Sequence, residues 1–93
     1  MIVSFADGET ERVWKQEFSK RLPREIQRVA LRKLVVLHRS RSLIDLRVPP
    51  GNHLEALSGD REGQHSIRVN RQWRICFRWN NGNCTDVEIT DYH

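Results

Sequence analysis

The sequence predicts an α+β fold in which two N-terminal helices pack on a small, mostly antiparallel sheet. Three observations predict it: helix-spaced apolar residues ahead of Ser40, two-residue alternation from Gln64 onward, and turn residues that interrupt the alternation twice. At 93 residues the chain is expected to form one domain, 1–93, with a modest core, because a chain this short buries only about two-thirds of the surface its unfolded form exposes.

The opening "MIVSFAD" alternates Ile2, Val3 and Phe5 and reads as a short strand ended by Asp7 and Gly8. Asp7 is a helix N-cap by type, and a first helix is expected from Glu9 to Phe18 with Val13, Trp14 and Phe18 on its buried side. In "RLPREIQRVALRKLVVLHRS" Pro23 suits a first helical position, and Ile26, Val29, Ala30, Leu34 and Leu37 form one stripe. Arg24, Arg28 and Arg32 recur every four residues on the other side, as a rail for phosphates or as a solvated face. Pro49, Pro50 and Gly51 forbid helix, and a strand is expected from His53 to Leu57.

The final third reads as an antiparallel meander. His65, Ile67 and Val69 alternate in one strand, and Trp73, Ile75, Phe77 and Trp79 in the next. For both sets to share a face, opposed residue numbers must add to an even total. A three-residue loop, Asn70-Arg71-Gln72, satisfies this and sets Arg68 opposite Arg74 on the side away from the core. The same rule selects the loop Asn80-Asn81-Gly82 for the next hairpin, with Val87 opposite Ile75, Glu88 opposite Arg74 and Cys84 opposite Arg78. Cys76 then lies diagonal to Cys84, at roughly 7 Å, where the ~3.8 Å between β-carbons of a disulfide is out of reach, so two free thiols are expected.

Composition narrows the function. The formal net charge is +4, with arginine supplying most of the excess. Its planar fork suits phosphate, so a polyanion is the first partner to consider, against a merely basic, soluble surface. No stretch is apolar enough to cross a membrane, the N-terminus lacks the pattern of a secretory signal, and a cytoplasmic protein is expected. Neither cysteine belongs to a metal-type cluster, and no cofactor or metal is expected.

Arg68, Arg74 and Arg78 share the outer face of the sheet. Like charges set opposite one another are unfavourable for stability alone, although Asp86 and Glu88 supply possible neutralising partners. The chain ends "EITDYH", whose Asp91, Tyr92 and His93 offer proton-transfer groups, one titrating near neutral pH. Arg61 in "LSGDREG" either reaches the same face or pairs locally with Asp60 or Glu62. Arginines beside a histidine, a tyrosine and a carboxylate suit metal-independent phosphodiester cleavage, with the ribose 2′-hydroxyl of RNA as the built-in nucleophile.

The stretches "DLRVPPGNHLEALSGDREGQHSIRVNRQWRICFRW" and "VEITDYH" resemble the HigB-type toxins of the RelE superfamily, from Ile2 to His93. The resemblance implies a compact RelE-like fold and an mRNA endonuclease that cuts translated codons in the ribosomal A site. It also implies neutralisation by a HigA-type helix-turn-helix antitoxin, with operator DNA contacted only through that complex. Position by position, it carries catalytic roles to Arg74, Asp91, Tyr92 and His93, and supporting RNA-binding roles to Arg61 and Arg68; Arg78 joins them as a further RNA-binding candidate on the same face. Some members place a histidine and a lysine where this chain has Glu55 and Ser58, so Glu55 becomes a candidate carboxylate base. The competing expectation is a non-catalytic regulatory module that binds RNA or antitoxin through the same face. Direct DNA binding is disfavoured, since no helix-turn-helix pattern appears.

Overall fold

The computed structural model describes residues 1–91, so Tyr92 and His93 lie outside the described residues. Helix α1 spans Gly8–Trp14 and opens as expected: the Asp7 carboxylate accepts the Thr10 amide at 2.7 Å, supplying one of the partners a first helical turn lacks. It closes four residues earlier than expected. Gln16 turns left-handed at φ 63°, and the chain is drawn inward at Ser19, which is fully buried. The Ser19 hydroxyl donates to Glu9 at 2.7 Å, and the Gln27 side-chain amide donates to the carbonyls of Ser19 and Leu22. Phe18, expected in the core, is therefore 59% exposed.

Helix α2 spans Arg24–Arg39, with Pro23 one position earlier than expected, at the N-cap. Ile26, Ala30, Leu34 and Leu37 are buried and Val29 is partly so, while Arg24, Arg28 and Arg32 face solvent. Three short 3-10 turns follow at Leu43–Arg47, Pro50–Asn52 and Gly59–Arg61. In the first, the amides of Arg41 and Ser42 donate to Asp45 at 3.0 Å each. Backbone hydrogen bonding at Ser42 and then at Arg41 holds the Asp45 carboxyl below its ordinary range.

The sheet contains β1 (Glu55–Ala56), β2 (Gln64–Arg68), β3 (Trp73–Asn80) and β4 (Asn83–Asp91), antiparallel and in that order. The strand expected from His53 shrinks to two residues because His53 is left-handed, φ 44°, as the cap of the preceding turn. The opening segment is not a full strand; Ile2 and Phe5 make isolated parallel bridges to Cys84 and Val87 along the outer edge of β4.

Pairing of β2 with β3 follows the parity argument, with Ile67 opposite Ile75 and Arg68 opposite Arg74. The β3–β4 pairing differs. Asn80 pairs with Asn83 across a two-residue turn, Asn81-Gly82, both at positive φ. Asn-Gly turns of this hand match the twist of the flanking strands, which favours two residues over three. A two-residue turn alone would place the apolar sets on opposite faces. An irregularity between Cys76 and Arg78, with Asp86 at φ 53°, inserts one residue and restores the parity. Ile89 therefore stands opposite Ile75, Thr90 opposite Arg74, Glu88 opposite Cys76 and Thr85 opposite Arg78.

The inner face of the sheet packs Ile67, Ile75, Phe77, Val87 and Ile89 against the inner stripe of α2 and Val13 of α1. Cys76 and Cys84 are free and buried on opposite faces. The outer face carries Ser66, Arg68, Arg74, Cys76 and Glu88.

Candidate active site

The outer face centres on Arg74, whose side chain is 12% exposed although it carries a full charge. Its place near the start of β3, paired with Arg68 on one side and Thr90 on the other, fixes the backbone, and its neighbours fix the guanidinium. Nε donates to the Ser66 hydroxyl at 2.7 Å, and NH2 donates to the carbonyls of His53 and Ser66. NH1 is directed toward Glu55, whose carboxylate lies 3.9 Å away, too long for a hydrogen bond. Arg74 is thus held through two of its nitrogens and presents the third beside a carboxylate that is 54% exposed. A planar, permanently charged fork held in this way can take a phosphate oxygen with little reorganisation, because its own side chain is already ordered.

Arg61 enters from the turn before β2. Its NH1 donates to Glu88 at 3.0 Å and to Gln64 at 3.1 Å, a cross-strand link rather than a local pair with Asp60 or Glu62. Cys76 lies in the same electrostatic neighbourhood. Burial pushes its thiol up, Arg61 and Arg74 act against that shift and Glu88 adds to it.

The remaining candidates are dispersed. Arg68 directs Nε to the Asn70 carbonyl at 3.0 Å. Arg78 sits 3.5 Å from Asp86 and lies over Gly63, where a β-carbon would meet its NH1 at 2.9 Å. Asp91, expected beside the arginines, occupies the position opposite Trp73 and so belongs to the other side of the sheet; Gln72 donates to it at 2.8 Å. The structure therefore brings Glu55 to Arg74, ties Arg61 to Glu88 above the same face, and separates Asp91 from both. The roles expected of Tyr92 and His93 fall outside the described residues.

Ser66 and the His53 carbonyl are parts of the site that sequence reasoning missed. The signal for Ser66 was present, since alternation between His65 and Ile67 puts it on the arginine side. The His53 carbonyl carried no such signal, because its placement depends on a left-handed turn.

Two helices on one face of a four-stranded antiparallel sheet form a compact α+β architecture consistent with the RelE-like fold. The chain belongs to the HigB-like toxins, described as RelE-like toxins of the type II toxin-antitoxin system HigB, and the match spans residues 3–93. It is 40% identical to Toxin HigB-1 of Vibrio cholerae serotype O1 over 88% of this chain and 87% of that protein. It is 36% identical to an uncharacterized protein of Haemophilus influenzae over 74% of this chain and 68% of that one. A shorter match, 48% identical over 40 residues, joins it to Endoribonuclease HigB of Proteus vulgaris and covers 43% of this chain and 44% of that protein. Membership of a toxin-antitoxin family implies an antitoxin partner. No helix of the described residues is long and apolar enough to cross a membrane.

Proposed function

We propose that this chain is an endoribonuclease that cleaves translated mRNA in the ribosomal A site, by metal-independent attack of a ribose 2′-hydroxyl on the adjoining phosphate. The observation that carries this reading is Arg74, braced by Ser66 and His53 with NH1 turned toward Glu55. Arg74 binds the scissile phosphate and stabilises the charge that grows on it. Glu55 draws the proton from the 2′-hydroxyl, and Tyr92 or His93, which the resemblance matches to active-site positions, donates one to the leaving oxygen. Arg68 and Arg78 contact flanking phosphates, Arg61 holds Glu88 at the border of the face, and Asp91 secures the end of β4 through Gln72. The protein acts in the cytoplasm and is neutralised by a HigA-type helix-turn-helix antitoxin, through which alone it reaches operator DNA.

The test is a map of new mRNA 5′ ends after brief expression, with translation running or blocked. The wild type is expected to give cuts within codons that vanish when translation is blocked. Arg74→Lys keeps charge but loses the fork, and is expected to cut about 100-fold more slowly. Arg74→Ala is the poorer variant, because it leaves Ser66 and the His53 carbonyl unpaired as well. Growth arrest without new ends, undiminished in Arg74→Lys, would favour the non-catalytic module instead.

A further inference from the structure

Residues 15–32 carry six cations and two carboxylates, a net charge equal to the +4 of the whole chain. The rest of the protein, the candidate active face included, sums to zero. This excess is concentrated on the helical layer, across the sheet from Arg74, because the inner stripe of α2 packs on the face that Ile67, Ile75 and Phe77 share. Among the described residues, no carboxylate lies within ion-pair distance of Lys20, Arg21, Arg24, Arg28 or Arg32. Glu17, next to Phe18 in sequence, is engaged by Arg12, and Glu9, which lines the same cavity as Phe18, by Ser19 and Arg12.

Phe18 stands among these cations. It is 59% exposed, with the Arg24 guanidinium 5.9 Å from its ring centroid, and it borders a cavity of about 360 Å³ with Glu9, Arg12, Lys20 and Arg21. Exposure here does not reflect a loose loop, since neighbouring Ser19 is fully buried and joined to Glu9 and Gln27. A single aromatic ring on an anchored loop, flanked by unpaired cations, fits an unstacked base whose neighbouring phosphates meet the cations. The centre of a protein interface calls for several adjoining apolar side chains, and Phe18 is the one large apolar residue strongly exposed between 15 and 32.

We infer that the Phe18 loop and the first turns of α2 form a second RNA-binding surface, which takes structured RNA on the side of the protein away from the active face. The protein measures 31 × 25 × 25 Å, so RNA that touches both sides must enclose it. On the proposed function, that RNA is ribosomal RNA around the A site. This inference rests on that reading.

The test is co-sedimentation of the purified chain with programmed ribosomes at rising salt. The variants are Phe18→Ser, the pair Lys20→Gln with Arg21→Gln, and Arg39→Glu as an exposed cation outside the surface; thermal midpoint and antitoxin binding are measured for each. Phe18→Ser is expected to weaken ribosome binding about 10-fold. The Lys20/Arg21 pair is expected to shallow the slope of log affinity against log salt by about 1 to 2. Arg39→Glu is expected to stay close to wild type, and all variants to melt and bind antitoxin normally. Wild-type binding with unchanged affinity and slope in both loop variants overturns the inference alone, as does loss of antitoxin binding in place of ribosome binding. A wild type that fails to sediment with ribosomes overturns the proposed function and the inference together.

Discussion

Arg74 combines two demands that usually conflict, a full charge and near-complete burial. Two of its nitrogens meet the hydroxyl and carbonyls that repay its lost hydration, and the third is directed toward Glu55. At the same scale, the buried thiols give a prediction about pH. Burial pushes Cys84 up from 9.0 to about 11, with the terminal amino group opposing the shift. The unfolded thiol therefore ionises first as pH rises. The stability Cys84 contributes is complete below about pH 9 and lost between there and about pH 11, on the order of 2 kcal/mol. Urea melts from pH 8 to 11 are expected to show this fall, and to show a shallower one in Cys84→Ala, even though that variant starts less stable. An equally steep fall in both would contradict it. Arginine's side of the sheet was legible because alternation assigns faces. The bracing was not, because the His53 carbonyl and the Arg61–Glu88 pair join residues 21 and 27 apart through turns whose shapes no local pattern gives.

The elements differ in how local their causes are. Helix α2 was legible almost to the residue, because its stripe and its boundary signals lie within the segment itself. Helix α1 was not, since its end depends on Ser19 meeting Gln27 from the next helix. In the β3–β4 hairpin the parity requirement was legible, but two devices satisfy it, and the choice of an Asn-Gly turn with an inserted residue over a three-residue loop lies in turn geometry. Contact between α1 and β4 includes one buried hydroxyl beside the packing of Val13: Thr10, fully buried, accepts the Ile89 amide at 2.9 Å. Thr10→Val keeps the shape and strands that amide, and is expected to destabilise the fold by about 1 to 3 kcal/mol in urea melts. Thr10→Ser, which restores the acceptor, should recover much of the loss. Equal destabilisation by both would assign the effect to packing.

At the scale of the molecule, the sheet divides the chemistry. One face is closed by helices that carry the net charge outward, and the other offers a braced arginine beside an exposed carboxylate. The sequence made both sets of residues visible but not their separation. Asp91 is the exception: its alternation with Val87 and Ile89 puts it on the helix side, opposite Trp73, although the resemblance groups it with Arg74. The central claim is that Arg74 and Glu55 support attack by a 2′-hydroxyl on mRNA held by the ribosome. The most direct measurement is single-turnover cleavage by the purified protein of two mRNAs, identical except for one 2′-deoxy nucleotide at the cut site, each free and bound to ribosomes. The account predicts cleavage of the all-ribose mRNA on ribosomes, and none of its 2′-deoxy counterpart there. Equal cleavage of both mRNAs, or equally fast cleavage of free RNA, would contradict it.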